Sequence, residues 1–227
     1  MWAVLKKEFK SYFLTPIGYV FIGLFLALFS LIFYIITIYQ GASTFQYVFG
    51  YAVIYGVVTL VPLLTMRMFA EERKNGTEQL LITSPKSMIA ITLGKFFAGV
   101  LVILIAELIT FVYFGILCIF KTPDISAVLM SMLGFILISM AYISFGMFIS
   151  SLTENQIIAG VITIATFILT LIAPSISEGL EKLSLMEKFY PFISGVFPIT
   201  EIIQILLITT MFVTLTMIVM KRRRLVK

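Results

Sequence analysis

Histidine is absent from this 227-residue chain, and there is one cysteine, Cys118, one aspartate, Asp124, and one tryptophan, Trp2. Without histidine no Ser-His-Asp or Cys-His nucleophilic set can be assembled. A single thiol rules out an intrachain disulfide and a His/Cys metal cluster. A phosphate-cradling loop needs Gly-x-x-x-x-Gly-Lys-[Ser/Thr], but Gly94-Lys95 is followed by Phe96 and has Ile89 in the place of the first glycine. Charge is also scarce, 12% of residues, against roughly 25% in a soluble domain. What fills the chain instead is oil. The hydrophobic fraction is 61% and the mean hydropathy +1.13. The apolar residues fall into runs of 17 to 27, long enough to cross a bilayer core of about 30 Å. The runs do not alternate apolar and polar, as the strands of a membrane barrel do. The sequence predicts an all-α polytopic membrane protein.

Six spans are predicted: Ile17 to Tyr39, Val48 to Met66, Gly94 to Phe120, Val128 to Ser150, Ile157 to Ala173 and Ile199 to Met220. Together they make one transmembrane domain over residues 1–227, because the longest hydrophilic interruption, Arg67 to Lys86, has about 20 residues. Six spans place both termini on one side. Of the 16 basic residues, 13 lie on that side and only Lys121, Lys182 and Lys188 on the other. Basic residues in short loops resist translocation, so the termini are expected in the cytoplasm. The net charge of +5 thus reads as topology rather than as a nucleic-acid surface. The first run has no small-residue cleavage site, so it is expected to be retained.

Before the first span, Trp2, Leu5, Phe9 and Tyr12 or Phe13 recur at helical spacing, with Lys6, Lys7 and Lys10 on the other face. That pattern predicts an interfacial helix over residues 1–15, and Pro16 favours a bend after it. It serves either as an inert anchor or as a part that moves with a cytoplasmic partner.

The segment Arg67 to Ser87 is dense in charge of both signs. Glu71, Glu72, Arg73 and Lys74 extend a helix out of span two, and Asn75-Gly76 tolerate a left-handed turn. Thr77 to Thr83, with Glu78, can form a short helix showing Leu80, Leu81 and Ile82, and Ser84-Pro85 restart the chain as N-cap and first helical residue. Apolar residues on a short helix outside the bilayer need either the lipid interface or a groove on another protein. The second loop on this side contains Thr153, Glu154, Asn155 and Gln156; Thr153 and Gln156 are spaced as a capping box for span five.

The stretch Pro62-Leu-Leu-Thr-Met-Arg-Met-Phe-Ala-Glu-Glu-Arg-Lys-Asn-Gly-Thr-Glu-Gln-Leu-Leu-Ile-Thr-Ser-Pro85 resembles the corresponding loop of ABC-2 type permeases, the membrane subunits of one class of ATP-binding-cassette exporters. Lys7 to Val20, Ser150 to Gln156, and Lys188 to Gly195 are similar to the branch that includes gliding-motility permeases. The resemblance implies a permease, not an enzyme, with an elbow helix (Trp2, Lys6, Lys7, Phe9, Lys10) and a coupling helix (Glu71 to Glu78, Leu80, Leu81). It also implies a second permease chain, identical or paralogous, a dimer of cytoplasmic ATPase subunits carrying the ATP and Mg, and a place in a bacterial inner membrane. This chain would then hold no cofactor or metal.

Glu107 lies near the middle of span three, where an ionised carboxylate costs about 3 kcal/mol on insertion scales. It reads as a substrate contact or proton-linked switch, or as a protonated or hydrogen-bonded structural acid. At the outer end of span six, Glu201 reads as a pathway or gate residue or as an interfacial cap, and Gln204 as a helix contact. Ala127 with Ser131, and Gly146 with Ser150, allow close helix approach in span four. The 22 phenylalanines line a path for amphipathic cargo or pack against lipid. The outer loop from Pro174 to Phe197 suits short interfacial or re-entrant helices, which the resemblance makes an extracellular gate, and a 17-residue span five would hand over to it early. Two rival functions are disfavoured. A lipid-modifying enzyme of the phosphatidyl-transfer type needs clustered aspartates, and an ion-coupled carrier commonly shows repeated halves and more than one intramembrane polar site.

Overall fold

A computed structural model describes residues 1–39, 45–79, 83, 86–120, 123–176 and 184–226. All of the regular structure among them is helical. In chain order the elements are α1 (Trp2–Leu14), α2 (Ile17–Phe33), α3 (Phe45–Tyr51), α4 (Val58–Thr65), α5 (Ala70–Lys74), α6 (Met88–Phe120), α7 (Ile125–Leu152), α8 (Gln156–Ile176), α9 (Tyr190–Ile193) and α10 (Ile199–Val226). Wider π-helical turns extend α2 over Tyr34–Tyr39 and join α3 to α4 over Ala52–Val57. Six stretches are long and apolar enough to cross a membrane: Ile17–Tyr39, Phe45–Lys74, Met88–Phe120, Ile125–Leu152, Gln156–Ile176 and Ile199–Arg223.

These are the six expected spans, with ends moved by local capping. The third begins at Met88, where the Ser87 hydroxyl accepts from the Ala90 amide at 3.2 Å; Ser84 and Pro85, the expected restart, lie outside the described residues. At 33 residues α6 is about 50 Å long and overruns a bilayer core of about 30 Å. The fourth opens on Asp124, which accepts from the Ser126 amide at 3.0 Å. Span five is a helix of 21 residues that runs through Pro174, so it is not at the short limit for crossing.

In lipid there is little hydrophobic drive between helices, and close packing takes its place. α7 is the central strut, touching α3, α4, α6, α8, α9 and α10. The small residues picked out in span four do hold close contacts. A Cβ on Gly146 would come within 2.8 Å of the Thr65 Cβ, and Ala127 packs against Gly195. Some phenylalanines, such as Phe111 and Phe120, are exposed on the outside of the bundle, but many form an internal ladder. Phe29, fully buried, has ring centroids 6.1 Å from Phe45, 5.4 Å from Phe49 and 5.4 Å from Tyr113. Each such pair contributes about 0.5–1.5 kcal/mol beyond its buried area.

At the end away from the termini, the segment from Ser184 through α9 folds back into the bundle. Phe189 and Phe192 are fully buried and lie over Gly134 of α7, while Ile193 lies over Gly50 of α3. The outer loop thus carries one short helix, α9, packed on α3 and α7; residues 177–183 are outside the described set.

Candidate functional site: the charged junction at the terminal end

Both termini meet the loop after span two at one end of the bundle. The chain leaves α4 through a turn fixed by Ser150 of α7, whose Oγ accepts from the Phe69 and Ala70 amides, both at 3.1 Å, and donates to the Met66 carbonyl at 3.0 Å. One hydroxyl thereby satisfies three backbone groups where the helix breaks, and α5 starts from a fixed point. α5 ends after one turn because Gly76 takes a φ of +71°, a backbone conformation costly for residues with a Cβ. Thr77 Oγ1 then donates back to the Glu72 carbonyl at 3.2 Å.

Lys95, only 3% exposed, is the hub. Its Nζ donates to Glu72 Oε1 of α5 at 2.8 Å and to Glu8 Oε2 of α1 at 3.0 Å, and lies 5.4 Å from the centre of the Phe69 ring. One buried ammonium therefore joins α1, α5 and α6. The approach of α1 to α6 is close because Gly94 precedes that lysine. A Cβ there would come within 2.8 Å of Val4 Cγ1. Tyr12, also on α1, points its hydroxyl at the Leu64 carbonyl 3.4 Å away; burial, with Glu8 beside it, pushes this phenol above its usual range, so it stays a donor.

Arg73 makes the second connection. Its Nη2 donates to the Ser151 carbonyl at 2.6 Å, at the start of the second loop, and its Nε lies 3.6 Å from Glu78 Oε2. Glu78 also accepts from Arg223 at the far end of α10, at 3.1 Å. Arg67 clasps Glu71 with two of its nitrogens, a partly exposed pair one helical turn apart and of modest worth.

Of the residues singled out from the sequence, Glu71, Glu72, Arg73 and Glu78 thus converge on one junction. Lys74, Asn75, Gly76 and Thr77 are exposed on its outer surface, whereas Leu80 and Leu81 lie outside the described residues. Trp2, Lys6, Lys7 and Lys10 are exposed, and Phe9 is half-buried against the core. In the second loop Glu154 and Asn155 are exposed and Thr153 and Gln156 half-buried. The capping box there is corrected. Asn155 Oδ1 accepts from the Ile157 amide at 2.9 Å, while Thr153 Oγ1 donates to the Asn155 carbonyl at 3.3 Å. An Asn side chain caps the second residue of its helix readily, so Thr153 is not needed.

Glu107 and Glu201 are not part of the junction. Glu107 is 1% exposed, and neither of its carboxyl oxygens has a hydrogen-bond partner among the described residues. Glu201 is half-buried in the first turn of α10, near Gln204, which accepts from Lys188 at 2.6 Å. A separate apolar cleft of about 400 Å³ lies beside the π-helical turns, lined by Leu28, Leu31 and Ile35 with Tyr51 and Tyr55.

Sequence reasoning gave no place in this junction to Glu8, Lys95, Ser150 or Arg223. Lys95 was legible as a basic residue close to a helix edge and Glu8 as an acid among lysines. Nothing in their spacing says that residues 87 positions apart meet.

The family model described as ABC-2 family transporter protein matches residues 33–220. The chain belongs to the ABC-2 transporter family. The match runs from the end of span one to the last turns of span six, so it covers the loop carrying Glu71 to Glu78, while α1 lies before it. No curated protein matches the chain significantly. The ABC-2 protein is accordingly a multi-pass membrane permease component of an ABC transporter, a class of system that works with an ABC ATPase.

Proposed function

We propose that this ABC-2 permease forms, with a second permease chain, the export pathway for a hydrophobic or amphipathic cargo, and is driven by a dimer of ATPase subunits seated on the charged junction. The observation that carries the reading is Lys95. A partner pressing on the exposed Lys74–Thr77 surface moves α5, and the buried Lys95 pairs with Glu72 and Glu8 pass that movement to α6 and α1 together. Arg73 passes it to the second loop through Ser151. A loop meant only to link two spans has no need of buried charges, which are stable only when well paired.

In this reading ATP and Mg are bound and used in the ATPase subunit, since the chain carries no phosphate loop of its own. The junction faces the cytoplasm because basic residues are concentrated there, in the inner membrane of a bacterium, and the chain is a member of the branch of permeases that includes the gliding-motility ones. The cleft between Ile35 and Tyr51 is apolar with two phenol rims, which suits a greasy cargo. Purified ATPase subunit tests the coupling. Its hydrolysis should rise several-fold with the wild-type permease in vesicles and stay at the basal rate with Glu72→Gln, although both permeases insert and bind; equal stimulation by the two would refute the assigned role.

A further inference from the structure

On α10 the residues Leu207, Met211, Thr214, Ile218 and Arg222 are exposed and recur at spacings of three and four. They share one side of the helix, and Ile218 and Arg222 lie within about 20° of Met211 around its axis. Thr214 turns its hydroxyl back to the Met211 carbonyl at 2.8 Å, so the line is greasy as far as Ile218. It ends in cations. Lys221 and Arg222 are exposed, and neither makes a hydrogen bond or ion pair among the described residues, whereas Arg223 turns inward to Glu78 at 3.1 Å. The only acid of α10, Glu201, stands at its other end. Arg222 is eleven residues beyond Met211, about 16 Å of helix, which is the depth of one leaflet of a core about 30 Å thick. At that depth an apolar cleft of about 360 Å³ lies between α8 and α10, lined by Tyr142, Phe145, Phe167, Ile208, Met211 and Phe212. Its floor is aromatic, with Tyr142 and Phe167 centred 4.2 Å apart and Phe145 and Phe212 5.0 Å apart.

We infer that this face of α10 seats one anionic phospholipid from the leaflet on the terminal side. Its phosphate meets Lys221 and Arg222, and one acyl chain runs along Ile218 and ends in the cleft beside Met211. An anion is favoured because both cations are accessible and unpaired, with no carboxylate on this part of the helix to compete. A lipid is favoured over a soluble anion because the cations close a greasy line that leads to an apolar cleft one leaflet deep. The seat also selects among headgroups. Phosphoglycerol leaves the charge of its phosphate uncompensated, whereas phosphocholine brings a cation of its own, which Lys221 and Arg222 repel. The inference does not rest on the export reading.

Native mass spectrometry of the full-length, delipidated permease in detergent, titrated with phosphatidylglycerol and phosphatidylcholine of matched chains, tests it. One phosphatidylglycerol per chain should be retained at least about tenfold more tightly than phosphatidylcholine. Lys221→Gln and Arg222→Gln, both at exposed positions that do not endanger folding, should each lower that preference about fivefold, the scale of one basic residue at an anionic membrane surface. Lys10→Gln removes a cation that is equally exposed and unpaired but lies on α1, and it should leave the preference unchanged. Met211→Trp, which crowds the cleft, should weaken retention of both lipids by the same factor, because they share their chains. Equal retention of the two lipids by the wild type would overturn the inference. So would a loss in Lys10→Gln as large as that in Arg222→Gln, which would mean diffuse charge rather than a seat, or unaltered retention in Met211→Trp. Glycerophosphoglycerol separates the sources: failure to displace the lipid at millimolar concentration supports a membrane ligand, and displacement would assign the cations to a free phosphate ester and overturn it. Release of the lipid on adding the ATPase subunit would likewise overturn it and give Lys221 and Arg222 to a protein surface.

Discussion

Lys95 is the residue whose loss the junction tolerates least. Lys95→Met leaves Glu8 and Glu72 facing each other without their shared cation, and removing one partner of a buried ion pair costs about 3–5 kcal/mol. Glu8 and Glu72 keep 13% and 17% exposure, so the lower end applies, and a melting curve in detergent should show a clear drop. Adding Glu72→Gln to Lys95→Met should recover part of that loss, since the two residues interact directly; strict additivity would mean that the pair is not formed. At Gly146 the issue is space. A valine there must displace Thr65, whose Cβ already lies 2.8 Å from the position a Cβ would take. Overpacking of this kind costs about 1–3 kcal/mol, again read as a lowered melting temperature. The Gly146 contact was legible in the sequence as a small-residue pair with Ser150. The Lys95 contact was not, because an ion pair across 87 residues leaves no mark on local spacing.

Among elements, the loop from α5 to Thr77 has the most specific prediction. Gly76 holds a φ of +71° and has open space around its Cβ position, so only backbone conformation restricts the site. Gly76→Val should therefore weaken ATPase stimulation sharply, whereas Gly76→Asn, a residue that enters the left-handed region more easily, should retain most of it. Equal activity in the two would show that the turn does not matter for coupling. At the second loop, Asn155→Ala should lower stability by about 1 kcal/mol through loss of the N-cap, and Thr153→Ala should leave the melting temperature unchanged. Span number and order were readable from hydropathy because lipid demands long apolar runs. Helix ends were not, because they are set by single caps such as Ser87 and Asn155 and by tertiary contacts that let polar residues join a helix. The aromatic ladder of Phe29, Phe45 and Phe49 was invisible for a similar reason. A phenylalanine facing lipid and one facing another helix look alike in sequence.

For the molecule as a whole, the structure joins two features that hydropathy keeps apart. The outer end is filled by the Ser184-to-α9 segment seated on α3 and α7, and the terminal end is tied by ion pairs that reach α1, α5, α6 and α10. α7 runs between them, holding Ser150 against the junction and Gly134 against Phe192. It is a continuous helix that touches both ends. In the proposed reading the junction receives its drive from an ATPase carried on a separate chain. The most direct measurement is ATP hydrolysis in proteoliposomes holding the permease alone, the ATPase subunit alone, and both together. The permease alone should show no hydrolysis, the ATPase a basal rate, and the pair a several-fold higher rate that falls to basal with Gly76→Val. Hydrolysis by the permease alone, or a pair no faster than the ATPase by itself, would contradict it.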